Sequence, residues 1–274
     1  MYTGSYKLGI GLLGGTELPI DDHIALLQHL GWDGFFTGWK PNKTALFADA
    51  AQKYGMAYTS IHAPFHQVAY LWNEGDLGVQ VADELIECVR DCATHGVPVM
   101  VLHPFIGFGD HVPTPWGIDN FARIIDEADK LGVKLGFENV EGEPYLAAIF
   151  EAFAHHPSLG FCLDTGHELC YNRGKDMMAL YGHKLCHTHF NDNVGVTGDD
   201  IFWTDDLHLL MGDGIADWAG IMRRIRSADY SGILSCELSL SNKPDKHTHD
   251  SYATMGHEAF YKLALDRMRE ITKM

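Results

Sequence analysis

Basic residues are scarce in this sequence. Lys and Arg number 20 against 37 Asp and Glu, a formal charge of −17, and a field of that sign repels nucleic-acid phosphates and anionic lipid surfaces. No nucleic-acid partner is expected. Long apolar runs are missing as well: none approaches the roughly 18 residues of a membrane span, so no membrane partner is expected either. The opening MYTGSYKLGI has neither a basic leader nor an apolar signal core, which predicts a soluble, cytoplasmic protein. The six cysteines (Cys88, Cys92, Cys162, Cys170, Cys186, Cys236) lack zinc-ribbon and Cys-x-x-Cys spacing. They stand in apolar strand or helix contexts and read as buried free thiols. Histidine is what the chain has in excess, with 17 copies.

Short apolar or β-branched runs recur eight times: KLGIGLLG, GFFTG, AYTSIHAP, VPVMVLHP, VKLGFENV, LGFCLDTGH, KLCHTHFND and GILSCELS. Each ends in Gly, Pro or polar residues, as buried strands do. Stretches of helical period separate them, among them DDHIALLQHLG, GVQVADELIECVRDCATHG, GIDNFARIIDEADKLG, KDMMALYGH and the C-terminal SYATMGHEAFYKLALDRMREITKM. Several close on a glycine, the common helix C-terminal signal. Eight β-α alternations predict a parallel sheet closed into an α/β (β/α)8 TIM barrel, with a doubly wound open sheet as runner-up. No linker or repeat interrupts residues 1–274, which are read as one domain. The longest connection, Asn191 to Ile215, is long enough to be functional.

A (β/α)8 barrel works at the C-terminal ends of its strands. Those ends carry His62, His103, Glu138, Asp164 with His167 just after it, His189 and Glu237. Burying several carboxylates and imidazoles together is costly unless a cation offsets their desolvation, so the constellation predicts a divalent metal. His187 and His189 share one face of their strand. His189, at the strand end, is the ligand candidate, and His187, one layer deeper, is expected to hydrogen bond or pack.

The ordered set SIHAP, VLHP, ENV, LDTGH, HTHFND, DDLHLLMGDGIADW and CELS resembles the xylose-isomerase-like barrel superfamily of sugar isomerases and epimerases, to which endonuclease IV is related. The resemblance spans roughly residues 6–240. In its D-tagatose 3-epimerase-like branch one divalent ion is held at positions matching Glu138, Asp164, His189 and Glu237. In endonuclease IV the pattern extends to three zinc ions, whose further ligands match His62, His103, His167, Asp206 and His208. The resemblance implies a metal-dependent isomerase or epimerase acting on a sugar, a sugar phosphate or a related small polyol or keto acid. One ion (Mn, Zn, Mg or Co) is expected, with further zinc ions at Asp206 and His208 as the extension; otherwise those two residues support the site.

Proton transfer is expected of Glu138 and Glu237, through a metal-stabilised enediolate. Substrate contacts are expected from His167, His62 and His103, and stacking from Trp116, with Trp39, Trp72 and Trp203 as further rim aromatics. Asn191 and Asp192 fit either substrate binding or a turn. Lys40, Arg173, Lys175, Lys243 and Lys246 lie near strand-end loops, where ordinary solvation explains them as well as phosphate binding does. The alternatives are an endonuclease-IV-like zinc phosphodiesterase, a metal-dependent lyase or dehydratase on the same barrel, and a non-catalytic sugar binder. The expected partner is a small-molecule carbohydrate, and a homo-oligomer is left open.

Overall fold

The computed structural model describes residues 5–14, 18–196, 198–252 and 254–274. Residues 1–4 of the opening stretch, Thr197 in the long connection and Ala253 in the C-terminal helical stretch lie outside them. Eight strands appear where eight are expected: β1 (Leu8–Gly11), β2 (Gly34–Gly38), β3 (Ala57–His62), β4 (Val99–Leu102), β5 (Lys134–Glu138), β6 (Leu159–Asp164), β7 (Leu185–His189) and β8 (Leu234–Cys236). Consecutive strands pair in parallel, and β8 lies beside β1 with Leu234 opposite Leu8. The circle closes through a bridge between Phe190 and Cys236, where Phe190 N donates to Ser235 O and Glu237 N to Phe190 O. The result is a (β/α)8 TIM barrel.

Helices wrap the outside: α1 (Ile20–Leu30), α2 (Thr44–Tyr54), α3 (Asp76–Thr94), α4 (Pro115–Leu131), α5 (Glu143–Ala152), α6 (Thr165–Leu169), α7 (Met177–Tyr181), α8 (Trp218–Ser227) and α9 (His257–Ile271). Their buried residues recur at three and four: Val81, Ala82, Leu85, Ile86 and Val89 in α3, and Phe121, Ile124, Ile125 and Ala128 in α4. Each large side chain so buried contributes roughly 1.5–3 kcal/mol. Gly31, Gly55 and Gly132 end α1, α2 and α4 in the left-handed conformation, which costs a residue without a Cβ little. Three local features depart from expectation. α7 has five residues, following Arg173 and Gly174 at positive φ. α6 arises because the Asp164 carboxylate caps it, accepting from His167 N at 2.7 Å. α9 begins at His257, after an extended Gly256.

All six cysteines are free, five of them buried. Among the described residues no helix is long and apolar enough to cross a membrane.

Candidate metal centre

Register places the polar residues side by side. His62, Glu138, Asp164 and His189 are the last residues of β3, β5, β6 and β7, and His103 and Glu237 follow β4 and β8 directly. A register shift between Phe161 and Cys162 sets Cys162 opposite His187 and Asp164 opposite His189. The Phe36 ring stacks on His189, centroids 4.6 Å apart, and fixes its plane.

Glu138 is the hub. Its Oε2 lies 3.3 Å from His62 Nε2 and 3.2 Å from His103 Nε2, and its Oε1 lies 2.8 Å from His189 Nδ1. Glu237 Oε2 approaches the same His189 nitrogen at 3.3 Å. Glu138, Asp164, His189 and Glu237 each offer one ligand atom, and these atoms all lie within 4.8 Å of one another. His62, His103 and Glu138 form a second such group, and His167, Asp206 and His208 a third. In the third, Asp206 Oδ1 is 3.3 Å from His167 Nε2 and Oδ2 is 3.0 Å from His208 Nε2.

His189 and His208 hydrogen bond to Glu138 Oε1 and Asp206 Oδ2, but the contacts of the other two carboxylate oxygens fit a metal better than a hydrogen bond. Glu138 Oε2 and Asp206 Oδ1 are buried and have no hydrogen-bond partner, although ring nitrogens stand 3.2–3.3 Å away. Charge-assisted hydrogen bonds are shorter, about 2.7–2.9 Å. Neighbouring ligand atoms of a tetrahedral zinc ion with bonds near 2 Å lie about 3.3 Å apart.

Charge leads to the same conclusion. Burial opposes ionisation of Glu138, yet His189, His103 and His62 hold its carboxyl well below the usual range. Burial pushes Asp164 up to about 6 against the pull of His167. His189 and His208 are disfavoured as cations by burial, but Glu237 with Glu138, and Asp206, raise them to about 9 and about 10. The carboxylates thus favour positive charge beside them, held here by the rings, and a divalent cation would supply it in place of the ring protons.

Supporting contacts orient the candidate ligands. Asn139 donates to Asp164 O and accepts from Asp164 N. Asn191 Nδ2 donates to Asp164 Oδ2 at 2.8 Å, an approach that a Cβ at Gly166 would block. Asp192 accepts from Gly212 N, Ala216 N and Trp218 Nε1, so it braces the long connection. His187 Nε2 pairs with Ser60 Oγ at 3.0 Å, and burial beside His189 pushes its pKa well down. It belongs to none of the ligand groups, as its deeper position predicts.

Above the groups opens a cavity of about 500 Å3, whose lining includes Phe65, Ile106, Phe108, Tyr171, Trp203 and Lys243. Glu237 faces it with 27% of its side chain exposed, whereas Glu138 has no exposed surface. Trp116 is not brought here: at the start of α4 it lines a separate depression with Asn73, Glu74 and Arg123. Trp72 is buried, donating to Pro104 O. Tyr171, which lies over the His167 ring with centroids 4.8 Å apart, and Phe65, stacked on His103, escaped sequence reasoning because nothing in their local pattern marks them. Asn139 could have been found from its place directly after Glu138.

The family model of the xylose isomerase-like TIM barrel matches residues 17–259. The chain belongs to that family. It is 24% identical over 204 residues to the uncharacterized protein MJ1311 of Methanocaldococcus jannaschii, covering 65% of this chain and 63% of that protein. The chain thus spans less than two thirds of that relative. It is 26% identical over 245 residues to a probable endonuclease 4 of Nitratidesulfovibrio vulgaris, covering 83% and 74% of the two. Among solved structures it is similar to the IOLI protein with a bound zinc atom, at a TM-score of 0.77 and 17% identity over 97% of this chain and 98% of that one. An L-ribulose 3-epimerase structure gives 0.72 and 15% over 98% and 95%. At such identities these two likenesses carry the fold alone.

Proposed function

We propose that the protein is a divalent-metal-dependent sugar isomerase or epimerase, acting on a small carbohydrate in the cytoplasm as a single-domain enzyme. The observation that carries this reading is Glu237, a partly exposed carboxylate that belongs to the four-residue ligand group and lines a cavity of about 500 Å3. That volume suits a monosaccharide-sized molecule rather than a duplex. Glu138, Asp164, His189 and Glu237 would hold the ion. Bound there, a divalent cation supplies Lewis acidity to a substrate's carbonyl and neighbouring hydroxyl oxygens.

The remaining chemistry falls to side chains. Glu237 lifts the proton next to the carbonyl; Glu138, fully buried between His62, His103 and His189, holds charge in place. One base, Glu237, suffices for isomerisation: it returns the proton to the adjacent carbon while the hydroxyl proton passes to the former carbonyl oxygen. Inversion requires a second base on the opposite face, so isomerisation is the simpler reaction for this site. Phe65, Tyr171 and Trp203 provide faces for the apolar side of a sugar ring.

The test is deuterium exchange. Protein loaded with manganese or zinc, incubated in D2O with a panel of aldoses, ketoses and their phosphates, should place deuterium beside the carbonyl of at least one, read by NMR. A second reading, phosphodiester hydrolysis, is favoured by the groups around His62 with His103 and around His167 with Asp206 and His208 and by the endonuclease 4 relative, since clustered ions suit phosphate. Cleavage of an abasic-site duplex, with no exchange into any sugar, would replace the first reading by the second.

A further inference from the structure

Lys243, on the loop after β8, lines the cavity beside Trp203 and Asp206. Its ammonium sits 5.5 Å from the Trp203 ring centroid and 3.8 Å from Asp206 Oδ2. The latter distance is too long for a hydrogen bond, and among the described residues Lys243 Nζ makes none. The side chain is only 21% exposed, so a cation with three free donors is held partly out of water at the cavity wall. The ion pair with Asp206 is a loose and shared one, because the Asp206 oxygens also face His167 and His208 at the shorter distances of 3.3 and 3.0 Å. Lys246, three residues on, pairs instead with Asp205. A chain with almost twice as many acids as bases thus leaves one lysine in its cavity without a hydrogen-bonding acid.

We infer that Lys243 reads an anionic terminus on the substrate, a carboxylate or phosphate carried at the end remote from the reacting carbons, so that the site takes an acidic rather than a neutral sugar. The reacting end sits at Glu237 and the anionic end at Lys243, while the Trp203 face guides the ammonium and the ring between them. This rests on the proposed isomerase or epimerase reading for the identity of the sugar portion alone; recognition of the anion stands on Lys243.

Calorimetric binding to the zinc-loaded full chain tests it with four probes: D-fructose, D-fructose 6-phosphate, D-gluconate and inorganic phosphate. At least one of the two acidic sugars should bind tenfold or more tighter than fructose. Lys243→Gln should weaken that sugar about tenfold, the scale of one charge-assisted hydrogen bond, and leave fructose unchanged, with Lys243→Arg restoring most of the affinity. Preference for the phosphate ester over gluconate assigns a phosphate, and the reverse assigns a carboxylate. Equal binding of fructose and both acidic sugars, equal loss of all probes in Lys243→Gln, or affinity for the acidic sugar no greater than for inorganic phosphate and unaltered by Lys243→Gln would overturn the inference. Lys243-dependent binding without deuterium exchange would sink the isomerase reading and leave this one standing. Exchange into neutral sugars, insensitive to Lys243→Gln, would do the opposite.

Discussion

Glu138 and His189 meet at 2.8 Å with neither side chain exposed to solvent. The carboxylate also faces His62 and His103 through its other oxygen, and it therefore belongs to both the four-residue ligand group and the His62–His103 group, whereas Asp206 belongs only to the group with His167 and His208. Glu138→Gln keeps the volume and removes the charge. It should strip most of the bound metal, while Asp206→Ala should retain the ion held by Asp164, His189 and Glu237. Elemental analysis after dialysis decides it, and full metal content in Glu138→Gln would remove Glu138 from the ligand set.

Chelation should destabilise the fold. Glu138, Asp164, Asp206 and Glu237 converge with the rings on one rim, and a cation that binds only the folded state adds stability by mass action. Treatment with EDTA is expected to lower Tm by roughly 5–10 °C, reversibly on adding zinc. An unchanged Tm would mean that the groups bind no ion of consequence.

Glu237→Gln should leave the fold and much of the substrate affinity intact while turnover drops by about 10²-fold or more, the usual scale for a lost acid or base. The measurement is kcat and KM on the substrate found by deuterium exchange. Turnover near the wild-type value would take proton transfer away from Glu237.

His23 makes a separate prediction about acid stability. Its Nε2 lies 2.6 Å from Tyr261 Oη, joining α1 to α9, and burial, helped by His257, lowers its pKa from 6.5 to about 4. The unfolded chain takes up this proton near pH 6.5 and the folded chain only near 4. The stabilisation is therefore complete above 6.5 and lost as pH falls to about 4. His23→Gln should cost stability at pH 7, with the difference from wild type shrinking between those two values in urea titrations. A difference that does not vary with pH would show that His23 does not titrate in that range.

Strand ends were legible because a strand's terminal side chain has one place to go. Period-two alternation and eight repeats determine which residues reach the rim, and His62, Glu138, Asp164 and His189 end their strands where the apolar runs stop. The capping of α6 by Asp164 was hidden in the same motif, since a carboxylate three residues before His167 reads equally as a ligand and as a helix start. Trp116 follows a strand in sequence, yet α4 carries it to the outer depression beside Arg123.

By itself, then, the sequence determined the alternation, the barrel and the identity of the residues on its rim, because these follow from local period and from which side chains end each strand. Tertiary structure alone decided that Glu138 serves three rings at once. It also decided that the long connection folds back, through Asp192 and Leu209, to bring Asp206 and His208 onto His167, with His208 held at φ 54, and that Lys243 turns inward beside Trp203. Each of these is a contact between segments far apart in the chain, set by barrel closure and loop packing, and no local pattern of residues encodes such a distance.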